Sequence, residues 1–394
     1  MPAPGKGSIG IVPAGALGVS LFYHLTRQLE QVDGKVFFLE RHGSTTFGSL
    51  RRKGELLIAD ARTVHHLPAQ SLLNADLLSC YGSGCVPEVL LVCTNPDQLL
   101  EIVSECVRLL EAIYEAGELE ALPFPIVVLC SNGIYFQRIR QIYLEKIEEA
   151  TLLGRLPDLW PDMMPKIVGR LLRGVSIQTG VREGSGPAAI YRPGPRGITR
   201  IAGGDKGNRE AACNLLASRG GWFELAPHSS ATRLEFDKAM VNLSTNLLGQ
   251  LYSIDDAGRF RPLRIEEIVV PEHEEEIRDL CQHVFKAGKA VKAYGPSDEF
   301  SDIFERLRGT LRPHESHVPS SLQWVDLRLR TGRLDVSVPP TESWLLDPLI
   351  RYARSAGLDE DAHYFEDLKE RLMEKLARLA SGTAGSASGG NWDI

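Results

Sequence analysis

The opening stretch of about forty residues constrains this chain more than any other part. Residues 8–12 (SIGIV) form a short apolar, β-branched run, as a parallel strand buried on both faces requires. The run breaks at once into Pro13-Ala14-Gly15-Ala16-Leu17-Gly18. Helical spacing follows, with Val19, Phe22, Tyr23, Leu25 and Leu29 at the apolar positions, and then a second strand, 35–39, that ends on Glu40 and Arg41. A strand, a glycine turn, a helix and a strand in this order make a phosphate-binding start. The backbone of the turn can approach a pyrophosphate, and the helix N-terminus presents N–H groups to it.

The alternation continues. Residues 54–59, 89–93 and 126–130 read as strands, with a long helix over 97–116 between the last two. This predicts a Rossmann-type parallel sheet with helices on both faces. Residues 153–170 have no clear period and read as an insertion. Short strands are expected at 175–179, 188–192, 197–202 and 222–225, with a helix over 208–218. From about His228 long helical patterns take over, at 231–252, 271–287, 296–310, 341–356 and 363–380. The expected organisation is α/β: an N-terminal Rossmann domain over 1–227, a mainly α-helical domain over 228–380, and a flexible Gly/Ser/Ala-rich tail over 381–394.

Composition narrows the function classes. A net charge of −7, without a long Lys/Arg run, argues against nucleic acid as a partner. No stretch approaches the roughly 18 uncharged apolar residues of a membrane span. The seven cysteines form no CxxC pair, so zinc and a disulfide framework are not expected, and a reducing, cytoplasmic location fits them.

The turn would hold a dinucleotide through Gly15, Ala16, Leu17 and Gly18. Of three customary glycines, the second is Gly15 and the third Gly18, while Pro13 stands at the first. The end of the second strand selects the nucleotide. Glu40 suits the ribose hydroxyls of NAD, whereas Arg41 and His42 suit the 2′-phosphate of NADP, and the reading favours NADPH.

Further along, Lys238, Asn242 and Asn246 recur at four-residue steps in an otherwise apolar helix. That spacing sets them on one face, and buried amides and ammonium groups need partners, which a polar substrate supplies.

Five segments in order resemble the ketopantoate reductases. They are GIVPAGALG (10–18), LLVCTNPDQ (90–98), VVLCSNGI (127–134), IYRPGPRGITRIAG (190–203) and EFDKAMVNLSTNLLGQL (235–251). The resemblance spans most of 8–360. It implies two domains enclosing NADPH and a small 2-oxo acid, and a homodimer. It makes Lys238 the general acid that protonates the carbonyl oxygen. It gives Asn242, Asn246, Ser320 and Glu342 to the substrate, Asn95 to the cofactor, and Asn132 to both. The chain departs from the family at Pro13 and at Asn95, where the family has a lysine, and Ser320 and Thr341-Glu342 match only loosely. Three readings follow: a ketopantoate-type reductase, a reductase of another 2-oxo acid or imine, and a non-catalytic nucleotide sensor or interaction protein on the same scaffold.

Overall fold

The computed structural model describes residues 7–40, 45–74, 76–156, 159, 162–184, 189–228 and 230–382. Arg41, His42 and all of the expected tail beyond Gly382 lie outside them. The chain divides into two units, Met1–Ala231 and Thr232–Ile394, a few residues beyond the boundary read from the sequence.

Among the described residues the first unit has twelve strands: β1 (Ile9–Val12), β2 (Val36–Leu39), β3 (Glu55–Ala59), β4 (Val64–Pro68), β5 (Leu73–Asn74), β6 (Val89–Val92), β7 (Ile126–Leu129), β8 (Leu171–Ser176), β9 (Gly180–Glu183), β10 (Ile190–Pro193), β11 (Thr199–Ala202) and β12 (Phe223–Leu225). Its helices are α1 (Ala16–Leu25), α2 (Thr45–Lys53), α3 (Leu77–Gly82), α4 (Leu99–Glu115), α5 (Phe136–Leu152), α6 (Met164–Gly169) and α7 (Lys206–Ser218). Eight strands make one sheet in the order β12-β11-β8-β7-β6-β1-β2-β5. Its pairs are parallel except β11 with β8. The centre, β1, β2, β6 and β7, is buried throughout, as its continuous apolar runs require.

A second sheet, β4-β3-β10-β9, was not expected. The strand read at 54–59 belongs here, paired antiparallel with β4 and parallel with β10. Its other members escape a search for apolar runs. The segment of β4 is VHHLP, half polar, and β9 is GVRE. This sheet lies on α1, which explains why every residue of that helix from Gly18 to Leu25 is buried. The supposed insertion at 153–170 carries α6, and the strand expected at 175–179 begins earlier, at Leu171.

The second unit is helical. It comprises α8 (Ala231–Asn242), a π-turn (Leu243–Leu247), α9 (Leu248–Ser253), α10 (Ile265–Ile268), α11 (Glu274–Ala290), α12 (Phe300–Leu311), α13 (Ser320–Arg330), α14 (Pro340–Ser355) and α15 (Asp359–Gly382). Helix α13 was missed at sequence level. Residues Ser381 and Gly382, read as tail, end α15. Among the described residues no helix is long and apolar enough to cross a membrane, and no His/Cys/Asp/Glu group could hold a metal ion.

Candidate active site

In an open parallel sheet, ligands bind beyond the carboxyl ends of the strands, where strand order reverses. In the first unit that point lies between β1 and β6. The turn after β1 leads to Gly15, the N-cap of α1. A Cβ added to Gly15 would meet nothing nearer than the Pro13 ring at 3.9 Å, so this face is open. A Cβ on Gly18 would instead strike the Pro13 carbonyl oxygen and press on Ile11 at 3.1 Å. Gly18 thus lets the helix close onto the strand. Gly15, Ala16 and Leu17 remain partly exposed at the helix start, where N–H groups lack intrahelical acceptors. This turn fits a pyrophosphate even with Pro13 at its first position.

The second sheet braces the turn from below. Tyr191, almost fully buried on β10, donates its hydroxyl to the Ala14 carbonyl at 3.0 Å. Ser20 donates to the Thr179 carbonyl at 2.6 Å, and Gly180 runs so close to Ala16 that a Cβ would come within 2.7 Å of its carbonyl.

At the same edge, Asn95 stands exposed after β6, and the Thr94 hydroxyl donates to the Gln98 side chain to close the short turn that follows. Glu40, at the end of β2, pairs with Arg51 at 3.2 Å. Asn132 is exposed in the loop after β7. That loop is held by Arg173 of β8, which is 1% exposed and which the sequence reading passed over. Its guanidinium donates to the carbonyls of Leu129 (2.7 Å), Ser131 (2.7 Å), Gly133 (3.3 Å) and Gly174 (2.8 Å) and sits 4.5 Å from the Tyr135 ring centre. Its only signal was a lone arginine inside an apolar strand.

In the second unit, Lys238, Asn242 and Asn246 are joined by Gln250, a fourth polar residue at the same step. Four-residue steps drift in a regular helix: twelve residues at 100° each leave Gln250 about 120° away from Lys238. The π-turn over Leu243–Leu247 spends one residue without advancing the helix. It brings the offset back to roughly 20°. Gln250 Nε2 donates to the Asn246 carbonyl at 3.0 Å, and Asn246 Oδ1 accepts the Ser321 N–H at 3.4 Å. The Ser321 hydroxyl donates to Glu342, whose side chain also lies beside Gln250.

Ser320 is a correction. As the first residue of α13 it is exposed, and its neighbour Ser321, 4% exposed, carries the inward hydroxyl. The SSLQ segment alone did not decide between the two serines. Glu342 is fully buried in the first turn of α14, and burial raises its carboxyl from 4.5 to about 7. Several polar atoms here have no hydrogen-bond partner among the described residues, namely Asn242 Nδ2, Gln250 Oε1 and Glu342 Oε2. Buried polar atoms are rarely left so, and a polar ligand or an ordered water would satisfy them.

Lys238 is partly buried, with no hydrogen bond or ion pair to it among the described residues. Desolvation alone lowers its ammonium from 10.5 to about 8. A lysine so tuned holds a proton at neutral pH and can give it up, as a general acid must.

No protein-family model matches the sequence, and no curated protein matches it. Solved structures do. A D-mandelate dehydrogenase with NADH and anilino(oxo)acetate aligns at TM-score 0.63 and 15% identity, covering 94% of this chain and 99% of its own. A ketopantoate reductase from Ralstonia eutropha aligns at TM-score 0.56 and 13% identity, covering 94% and 99%. The 2-dehydropantoate 2-reductase of Methylococcus capsulatus aligns at TM-score 0.52 and 16% identity, covering 96% and 99%. Identities this low establish architecture and not chemistry, and in architecture the chain is of the ketopantoate reductase fold, as its sequence motifs implied.

Proposed function

We propose that the chain is a nicotinamide-dinucleotide-dependent reductase that converts a 2-oxo acid to the 2-hydroxy acid. The observation that carries this reading is Lys238, a partly buried ammonium without a counter-charge among the described residues, followed along one stripe by Asn242, Asn246 and Gln250. A bound reduced nicotinamide supplies the hydride. The chain supplies the rest. Gly15, Ala16, Leu17 and Gly18 receive the pyrophosphate, with Asn95 and Asn132 alongside. Lys238 gives its proton to the carbonyl oxygen as hydride reaches the carbon. The products are the hydroxy acid and the oxidised nucleotide, and the lysine is recharged from solvent. Asn242 and Asn246 hold the substrate through amide hydrogen bonds. Ser321, in place of the expected Ser320, fixes the Asn246 amide, and Glu342 fixes Ser321 in turn.

NADPH is the proposed donor, on the strength of Arg41 and His42. Glu40 does not compete for it, since its carboxylate is engaged with Arg51. The D-mandelate dehydrogenase with this fold was solved with NADH, so both nucleotides belong in the test. Ketopantoate is the first substrate to try, and the aryl 2-oxo acids come next. The purified chain is mixed with NADPH or NADH and a panel of 2-oxo acids, and absorbance is followed at 340 nm. Turnover that prefers NADPH supports the reading. Tight nucleotide binding without turnover on any 2-oxo acid overturns it in favour of a nucleotide sensor. A homodimer is proposed as the working assembly, and sedimentation tests it.

A further inference from the structure

Helix α3 ends in a turn that brings two cysteines together. The Cys85 N–H donates to the Cys80 carbonyl at 2.8 Å, the Gly84 N–H donates to the Tyr81 carbonyl at 3.0 Å, and Gly84 has a φ of 69°. Two such bonds around a left-handed glycine close a helix so that the side chains at the two ends of the turn meet, here those of Cys80 and Cys85. The N···O distance of 2.8 Å and standard bond lengths keep their Cα atoms within about 6.7 Å of each other. A disulfide spans Cα separations of roughly 4.4–6.8 Å. Both thiols are free.

The partners differ in access. Cys80 is 2% exposed, and burial pushes its thiol up, with the Cys85 sulfur adding to the effect. Cys85 is partly exposed. Its Sγ lies 3.1 Å from the Ser83 hydroxyl, which is 2.8 Å from the Ser79 carbonyl and 3.2 Å from that of Cys80. The hydroxyl can turn from those carbonyls to donate to a thiolate at Cys85. One sulfur is reachable from solvent and the other is shielded beside it, the arrangement in which an attacked cysteine has a resolving partner.

We propose that Cys80 and Cys85 form an oxidation site, which a hydroperoxide converts to a disulfide. The Cys85 thiolate attacks the peroxide. An S–O bond forms, the O–O bond breaks, the sulfur loses two electrons, and the rest of the peroxide leaves as an alcohol. Cys80 then attacks the Cys85 sulfur. The S–S bond forms, the S–O bond breaks, and hydroxide leaves as water with the Cys80 proton. Two thiols and one hydroperoxide give one disulfide, one water and one alcohol (a second water when the oxidant is hydrogen peroxide). The backbone of the turn already holds the two residues within reach, so only side chains need move, and a dithiol reverses the step. The pair stands before the amino end of β6, whereas Asn95 follows the carboxyl end. The chain can take up an oxidising equivalent there, away from the nucleotide edge, and Cys85 is spared irreversible conversion to sulfinic acid. Nothing in this step needs a nucleotide or a 2-oxo acid.

Hydrogen peroxide is the probe. The full chain is treated with it under native conditions, the remaining thiols are blocked with iodoacetamide, and chymotryptic peptides are weighed by mass spectrometry before and after dithiothreitol. Cleavage after Tyr81 puts the two cysteines on separate peptides, so only a disulfide can join them. The expected result is a linked Cys80–Cys85 pair, two hydrogens lighter than its reduced peptides together, formed before any other cysteine is consumed and split by dithiothreitol. Cys80→Ala should trap Cys85 as a sulfenic acid that dimedone labels and that passes on to sulfinic acid. Cys85→Ser should leave Cys80 unoxidised over the same time. Circular dichroism checks that both variants fold, and the wild-type peptide map decides alone if either does not. Wild-type Cys85 carried to sulfinic acid without a link would overturn the inference. So would a Cys85 that does not react, earlier loss of Cys93 or another thiol, or a link that forms only after unfolding in urea.

Discussion

The two halves of the proposed chemistry are built from different materials. The nucleotide edge of the first unit is made of backbone: a glycine turn, a helix start and loops tied down by carbonyl bonds from Tyr191 and Arg173. The polar stripe of the second unit is made of side chains on one interrupted helix, several of them buried with polar atoms left open. A backbone-built site is rigid and tolerates most changes of side chain, provided no atom is added where the chain closes on itself. A side-chain-built site stores its function in a few groups whose charge costs stability. Substitutions should therefore separate the two, with loss of turnover on one side and loss of folding on the other.

The largest effect should come from Lys238→Ala. It should lower kcat by roughly 10²–10⁴, the usual worth of a positioned acid, while the dissociation constant for NADPH stays as in the wild type. In the wild type kcat should fall as pH rises through about 8, where the ammonium is lost. A flat profile from pH 6 to 9 would remove the lysine from the chemistry.

Gly18→Ala comes next. Its Cβ has no room beside the Pro13 carbonyl, and urea unfolding should show a loss of about 3 kcal/mol or more. Gly15→Ala has space and should shift stability by less than about 1 kcal/mol. Equal losses at both positions would break the distinction between the closing glycine and the open one.

Glu342→Gln sharpens the contrast through pH. The folded-state carboxyl stands at about 7, above its ordinary 4.5, so the ionised form is the disfavoured one. That cost is absent below pH 4.5, grows between 4.5 and 7, and is complete above 7. Glutamine escapes it. The variant should be more stable than the wild type by up to about 3 kcal/mol at pH 8 and no more stable at pH 4, read from melting curves. The smallest effect on catalysis should be that of Asn246→Ala, which should raise KM several-fold, about 1 kcal/mol, with little change in kcat.

The same contrast explains what the sequence made legible. The glycine turn and the central strands could be read because backbone demands leave plain marks: two glycines at fixed offsets, and apolar runs with no polar face. The stripe of Lys238, Asn242 and Asn246 could be read because polar residues stand out in an apolar helix. The second sheet could not be read, since a strand such as β4 with a half-polar run carries little periodic signal. Ser321 was missed for its neighbour because two serines in succession differ only in the phase of α13, which the sequence leaves free. Arg41 and His42, on which the choice of NADPH depends, lie outside the described residues.

The π-turn over Leu243–Leu247 makes the second half of the stripe depend on residue count rather than residue identity. Any single substitution there leaves Gln250 in step with Lys238. Removing one residue, Thr245 for instance, would close the π-turn into a regular α-helix and leave Gln250 at the same offset of roughly 20° from Lys238. Adding one residue would instead rotate everything after it by about 100° and swing Gln250 away from Glu342. This part of the molecule should accept many exchanges and the loss of one residue but not the gain of one, a pattern of tolerance opposite to that of an ordinary buried helix, where side-chain volume is what must be kept.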